Sequence, residues 1–377
     1  MSRLKSFRVY FVLSILLILL IVILLREHRP SFLRPDLHLN AYISTGDGSI
    51  TVLDLANLRV LQKISVGPGI ADIREHAKRP EIWGVCSTGG YVWVLDARTS
   101  QISSRIPVGP LPFSIDFSPA GDRVYTTSSV SDQLLAIDVP SRSIIGRAKT
   151  GSEPVQARAT PDKKLILVVN RRAATLGIHD AATLQQRVAV PVIPQPDEVA
   201  VLPDNSIAFV MSRSEKRLSV VDLLRGVLIT NLELAGKPTQ ILVKPDGGEL
   251  YVISPEAHGL QVVNTWTHEM GDYMLLGSTP TNALISADSG RMYVADSAAS
   301  RVIPVDISNR RIDKPINVGA TPAAMRFDTS DPSTRPTMLL VLNESSGDLA
   351  IIRTRTDSLL TVIPIGPHPS RLAIKLF

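Results

Sequence analysis

Short apolar runs recur along most of this chain, each closing on a polar residue, as in Val52-Leu53-Asp54, Val94-Leu95-Asp96, Val220-Val221-Asp222 and Val262-Val263-Asn264. The polar terminators Asp54, Asp96, Asp138, Asp180, Asp222, Asn264 and Asp306 stand 42 residues apart, and Arg353 takes the eighth place less faithfully. Within one unit, apolar-rich stretches at 113–117, 123–127, 133–138 and 142–147 alternate with turns of Gly, Pro, Asp and Ser. That is the signature of four short strands. Units of four strands repeating at this period predict an all-β fold, a single β-propeller.

A marker proline recurs at Pro112, Pro154, Pro196, Pro238, Pro280, Pro322 and Pro369, and the last gap is 47 residues because 328–336 lengthens one turn. Glycine persists two or three positions earlier, at Gly109, Gly151, Gly236, Gly277, Gly319 and Gly366. Glycine suits a tight crossing between blades, and a proline just before the innermost strand loses no needed N–H. The terminators have a structural role of the same kind: a carboxylate there accepts backbone N–H bonds in the turn to the outer strand.

The stretch 369–376 reads as an innermost strand with no blade after it, while 40–45, 49–55 and 59–66 read as three outer strands lacking their first. Joining the two ends closes the ring and hides open sheet edges. The expected count is eight four-stranded blades over 39–377, with seven as the alternative if one unit is degenerate.

Val124-Tyr125-Thr126-Thr127, Tyr251-Val252-Ile253-Ser254, Tyr293-Val294-Ala295-Asp296 and the recurring Val-Gly-x-x-Pro resemble the YVTN-type β-propeller repeat proteins. The resemblance covers nearly everything from residue 39 onward. It implies a secreted or periplasmic propeller, of a kind that mostly looks like a binding or surface module, and often has seven blades. Related propellers include sugar-lactone hydrolases and haem- or quinone-dependent oxidoreductases. No lactonase metal-ligand set transfers residue by residue, and the single Cys86 excludes a Cys-x-x-Cys-His haem attachment.

Composition adds one distinction. The formal net charge of +5 lies wholly within residues 1–34, so the remainder is neutral and nucleic acid is not an expected partner. The lone cysteine also rules out an intramolecular disulfide framework.

Residues 9–25 carry no charge, and as a helix they reach about 25 Å, near the lower limit for a bilayer span. Arg26-Glu27-His28-Arg29-Pro30 follows in place of small residues, which favours an uncleaved signal anchor. Arg3, Lys5 and Arg8 place residues 1–8 in the cytoplasm. The expected order is a transmembrane helix at 9–25 in inner-membrane lipid, a stalk at 26–38, and a propeller on the periplasmic or extracellular side.

Aligning the innermost strands on the marker proline predicts the side chains of the axial channel. Two positions after the marker come Asp72, Ser114, Gln156, Glu198, Gln240, Asn282, Ala324 and Arg371. Four positions after it come Arg74, Asp116, Arg158, Ala200, Leu242, Leu284, Arg326 and Ala373. The ligand-binding candidates are Arg74, Asp116, Arg158, Arg326, Asp72, Glu198 and Arg371, for a protein, a peptide or a small anionic ligand. The turns at 170–173 and 212–217 neighbour each other by the repeat and form either a basic rim or, as loop charges more often do, an ordinary solvated surface.

The seven histidines form no His-x-x-x-His pair and no Gly-x-Ser-x-Gly elbow occurs, so no cofactor, metal site or catalytic residue is expected. The leading functional expectation is a membrane-tethered binding or scaffold module. A small-molecule hydrolase or oxidoreductase working at the channel mouth is the alternative.

Overall fold

The computed structural model describes residues 38–329 and 333–377, and Leu39–Phe377 form one compact unit. The 1–8, 9–25 and 26–37 assignments lie outside the described residues. Among the described residues no helix is long and apolar enough to cross a membrane.

Eight antiparallel sheets follow one another around a ring, and the innermost strand of each touches the next. Blade 1 is mixed: Arg371–Leu376 lies innermost, beside Leu39–Thr45, Ser49–Asp54 and Arg59–Ser65. Tyr42 faces Ala373 in that antiparallel seam. The innermost strands of blades 2 to 8 are Ile70–Glu75, Ile115–Phe117, Pro154–Ala159, Glu198–Val201, Gln240–Val243, Pro280–Ile285 and Pro322–Phe327. The count is therefore eight rather than seven, closed as the repeat requires.

Blade 7 alone splits its outermost strand, into Arg311–Ile312 and Ile316–Asn317. Its third strand carries Pro304 and the interruption contains Pro315, so two ladder donors are missing at the break.

Eight apolar clusters fill the spaces between blades, one for each interface of the ring. Between blades 4 and 5, for instance, Leu167, Val169, Val199 and Val210 pack together, all buried. Second strands such as Glu81–Cys86 and Leu165–Asn170 are buried along their whole length, whereas the outermost strands expose most positions. Trp83 and Trp93 are core residues.

The two motifs that recur most strongly touch each other. In blades 3, 4, 6, 7 and 8 the last residue of the second strand is Ser128, Asn170, Ser254, Asp296 or Asn343, and it packs against the glycine of the inter-blade crossing. A Cβ on Gly109 would lie 2.8 Å from Ser128, one on Gly151 2.9 Å from Asn170, and one on Gly236 2.6 Å from Ser254. Ser128 Oγ and Ser254 Oγ also donate to the crossing carbonyls of Pro110 and Lys237, both at 2.9 Å. The polar end of the Tyr-Val-x-x stretch thus clamps the Val-Gly-x-x-Pro crossing, which only glycine lets come so close.

The strand terminators behave as expected. Asp54 Oδ1 accepts from Ala56 N at 2.9 Å and Asn57 N at 3.2 Å, and Asp96, Asp180, Asp222 and Asn264 repeat the pattern. Arg353 has no such acceptor. The Asp54→Ala variant should lose roughly 1 kcal/mol for these bonds, read as a lower urea midpoint at unchanged slope.

Four residues past each terminator the backbone is left-handed, at Leu58, Ser100, Arg142, Leu184, Gly226, His268, Arg310 and Asp357. Several of these side chains bridge to the preceding blade, which compensates for a conformation glycine would adopt more easily. Arg142 meets Glu81 at 2.6 Å, Arg310 pairs with Glu249, and Asp357 pairs with Arg291.

Candidate functional site

The axial channel runs between two faces of different make-up. One, the crossing face, carries the inter-blade crossings and the hairpin tips after each second strand. The other, the turn face, carries the Pro-Asp-Gly turns and the turns after each terminator.

The innermost strand of every blade leaves one edge without a partner strand, so its N–H groups need another acceptor. The polar positions two after the marker supply it. Asp72 Oδ2 accepts from Ile115 N at 3.2 Å, Gln156 Oε1 from Val199 N at 2.8 Å, and Gln240 Oε1 from Ala283 N at 2.6 Å. Ser114 makes a longer contact with Ala157 N at 3.4 Å, and Arg371 Nε donates to Ala71 O at 2.9 Å. Each bond joins one blade to the next, so this ring is first a lateral zipper. Asp72, expected as a ligand contact, is used in that way.

The next layer is charged over half of the ring. Asp116 Oδ2 accepts from Ala159 N at 3.2 Å, and Arg74 and Arg158 flank it electrostatically on either side. Burial pushes the Asp116 carboxyl up while the two guanidiniums oppose that shift. Asp72, 3.4 Å from Arg74 and aided by Asp116 and Glu75, reinforces the Arg74 charge.

Arg326 of blade 8 bonds Glu75 of blade 2, passing blade 1 where the small Ala373 stands. Glu75 occupies a slot that is apolar in most blades, the one signal that would have announced this pair. Four of the seven candidates, Arg74, Asp116, Arg158 and Asp72, therefore form one neutralised arc, and Arg326 is engaged beside it. The opposite wall holds Leu242 and Leu284.

Glu198 and Arg371 sit nearer the crossing face. Burial raises the Glu198 carboxyl, and Arg158, Arg213 and Arg74 pull it back. At the mouth above them, a cavity of about 280 Å³ is lined by Phe113, Val155, Arg171, Asp197, Arg213 and Arg371, among others. Its walls come from blades 1 to 5.

Arg171 is held by Asp197 at 2.6 Å and Glu153 at 3.5 Å. Asp197 also accepts the Arg213 backbone N–H at 2.7 Å, which fixes that hairpin tip over the channel. Arg213 and Arg371 are both exposed, and among the described residues neither is within ion-pair distance of a carboxylate. Of the turns at 170–173 and 212–217, Arg171 and Arg213 converge with Arg371 on one opening. Asp197 and Phe113 were missed, although Asp197 is the one acid directly after a marker position.

Among the described residues no three His, Cys, Asp or Glu side chains are grouped to hold a metal ion. Asp72 is engaged by the Ile115 N–H and by Arg74, and Glu198 feels the charges of Arg158, Arg213 and Arg74. The arrangement can hold an anionic group by charge and hydrogen bonding.

No curated protein matches the chain. Among solved structures, the dihydro-heme d1 dehydrogenase NirN in complex with DHE superposes with a TM-score of 0.76 at 14% identity, over 88% of this chain and 74% of that one. Apo AztD from Citrobacter koseri gives 0.68 at 11% identity, over 90% and 98% of the two chains. Hydrazine synthase from Kuenenia stuttgartiensis gives 0.60 at 17% identity, over 77% and 97%. At these identities the likeness is one of fold alone. Residues 90–285 match the family described as YNCE-like beta-propeller. More than half of the sequence is covered by that match, and the motifs and eight closed blades agree with it: the chain belongs to the YNCE-like β-propeller family.

Proposed function

We propose that this protein is a membrane-tethered, extracytoplasmic binding module that takes a carboxylate-bearing ligand at the crossing-face mouth of its channel. In this reading residues 9–25 anchor the chain in a bacterial inner membrane, residues 26–38 act as a stalk, and the propeller lies on the periplasmic or extracellular side. The observation that carries it is the pair Arg213 and Arg371, two exposed guanidiniums without a carboxylate partner on a concave opening. Deeper in the channel Arg74 is already paired with Asp72 and Arg326 with Glu75, and Asp116 lies between the Arg74 and Arg158 charges, which favours rigidity over recognition there. Guanidinium forks bind carboxylates in two-point fashion, and Phe113 offers an apolar wall beside them. Both small polycarboxylates and the acidic end of a peptide share this chemistry.

Titration calorimetry of the full chain in nanodiscs, against citrate and against a tetraglutamate peptide, tests the reading and separates the two sources. Binding should weaken with salt. Arg213→Ala should lower affinity about tenfold and the Arg213→Ala/Arg371→Ala double variant more, since each charge-assisted contact contributes about 1.5 kcal/mol or more. Arg213 is exposed, so its replacement should leave the melting temperature unchanged. Absence of binding by the wild-type chain at millimolar ligand, or equal affinity in the double variant, would overturn the proposal.

A further inference from the structure

We propose that the turn face carries a lipid-docking rim on blades 5 and 6, centred on Leu224 and Trp266. The inference rests on the membrane-tether reading above.

Leu224 and Trp266 are 84% and 73% exposed. They occupy the same repeat slot, two residues past the terminators Asp222 and Asn264. Each gives its backbone N–H to that terminator at 2.9 Å, so the turn is fixed by main chain alone and folding makes no demand on the side chain. The other six blades fill the slot with Ala56, Arg98, Pro140, Ala182, Ser308 and Arg355. Large apolar groups therefore appear at this tip only on two adjacent blades.

The patch continues onto the outermost strands through the exposed Val227, Leu228, Ile229 and Met270, all near the turn-face ends of their strands. Exposed apolar side chains gathered on the same end of two adjacent blades mark a contact site. Arg225, exposed between Leu224 and Val227 and paired with Asp222 only at 3.8 Å, suits lipid phosphate. A tryptophan with an apolar body and an indole N–H suits the interfacial layer of a bilayer.

The face on which Leu39 enters the propeller selects lipid over a protein partner. Leu39 opens the propeller on this same face: its carbonyl accepts from Leu55 N at 2.9 Å, in the turn that matches those of Leu224 and Trp266. The apolar run 9–25 precedes it by 13 residues, a reach of about 45 Å at full extension. Blades 1 and 5 are diametrically opposite in a ring of eight. A tether at one and an apolar rim at the other give two attachments across one face. The crossing-face mouth is then turned toward the aqueous compartment, where its ligand would come from.

The chain reports on this contact itself, because Trp83 and Trp93 are fully buried and Trp266 is the exposed indole. Full-length protein would be placed in phosphatidylethanolamine/phosphatidylglycerol nanodiscs carrying acyl chains brominated near the headgroup. Emission that disappears in the Trp266→Phe variant should be quenched at least twofold by bromolipid and shielded from iodide. Leu224→Glu should reduce that quenching while leaving the mouth's ligand affinity unchanged. Trp266 emission open to iodide and unaffected by bromolipid would overturn the rim. Shielding from iodide without bromolipid quenching would also overturn it, in favour of a second copy or another protein. Failure of the chain to co-purify with nanodiscs would refute the tether and the rim together, whereas co-purification without quenching refutes the rim alone.

Discussion

Ending the chain after Ser370 should abolish cooperative unfolding. The seven residues removed contribute the innermost strand of blade 1, whose six pairings with Leu39–Ser44 would all be lost. Leu372 and Ile374 pack toward blade 8 and Ala373 toward blade 2, so two of the eight inter-blade cores open at once. Losing a buried Leu or Ile side chain costs about 2–5 kcal/mol. Two of them, with the ladder, match the whole stability of a typical domain, about 5–15 kcal/mol. Lys375 adds bonds to His76 O at 2.5 Å and Ala77 O at 3.3 Å that tie blade 1 to blade 2 across the seam. Calorimetry should show no sharp transition in the truncated chain, and limited proteolysis should cut it throughout. A sharp transition near the wild-type midpoint would mean that the ring does not depend on its closing strand.

The architecture was legible because every blade solves the same packing problem with the same residues in the same slots. A strand that ends on Asp54 or Asp222 needs an acceptor for its turn, and a crossing that passes Ser128 or Asn170 needs a glycine. Repetition turns such local needs into a ruler. The channel was less legible. Period two tells which residues face the axis, but not that the inner edge of each strand has N–H groups awaiting acceptors, which is what engages Asp72, Gln156 and Gln240. Nor does it show that Arg326 passes the small Ala373 to reach Glu75 on the second blade over. The mouth departs from the repeat most, because Asp197 and Arg213 of blade 5 and Arg371 of blade 1 come from three different slots. No periodic argument brings those together; only the closed ring does.

Asp296→Ala should be the most damaging single substitution of a polar residue on the crossing face. Its carboxylate is fully buried and accepts from Thr279 N at 2.8 Å, Ser278 Oγ at 2.9 Å, Ser278 N at 3.2 Å and Arg301 Nε at 3.0 Å. Its removal leaves the Thr279 and Ser278 donors unpaired at about 1–3 kcal/mol each, while Arg301, partly exposed, is screened by solvent. Burial alone would raise the Asp296 carboxyl, but the Thr279 and Ser278 donors and Arg301 outweigh it and hold it below its usual range. A depressed folded-state value means that its stabilisation is fully present above the unfolded pKa of about 3.9 and lost as pH falls through the folded value. Removing the carboxylate should therefore flatten the acid limb of the stability profile as well as lower the plateau.

Blades 4 and 8 solve the same slot without a carboxylate, using Asn170 opposite Thr175 and Asn343 opposite Asp348. There the amide donates to the facing side chain, at 3.1 Å and 2.6 Å. Asp296→Asn alone sets an amide against the Arg301 guanidinium, leaving that charge without its partner. Pairing it with Arg301→Thr recreates the blade 4 arrangement and should recover at least half of the single-variant loss, measured as a coupling between the two sites in urea unfolding. Additive losses would show that the crossing is held by the charge of this pair. Recovery would show that an amide donating to the facing side chain suffices to clamp the glycine, although its own oxygen accepts no bond in blades 4 and 8.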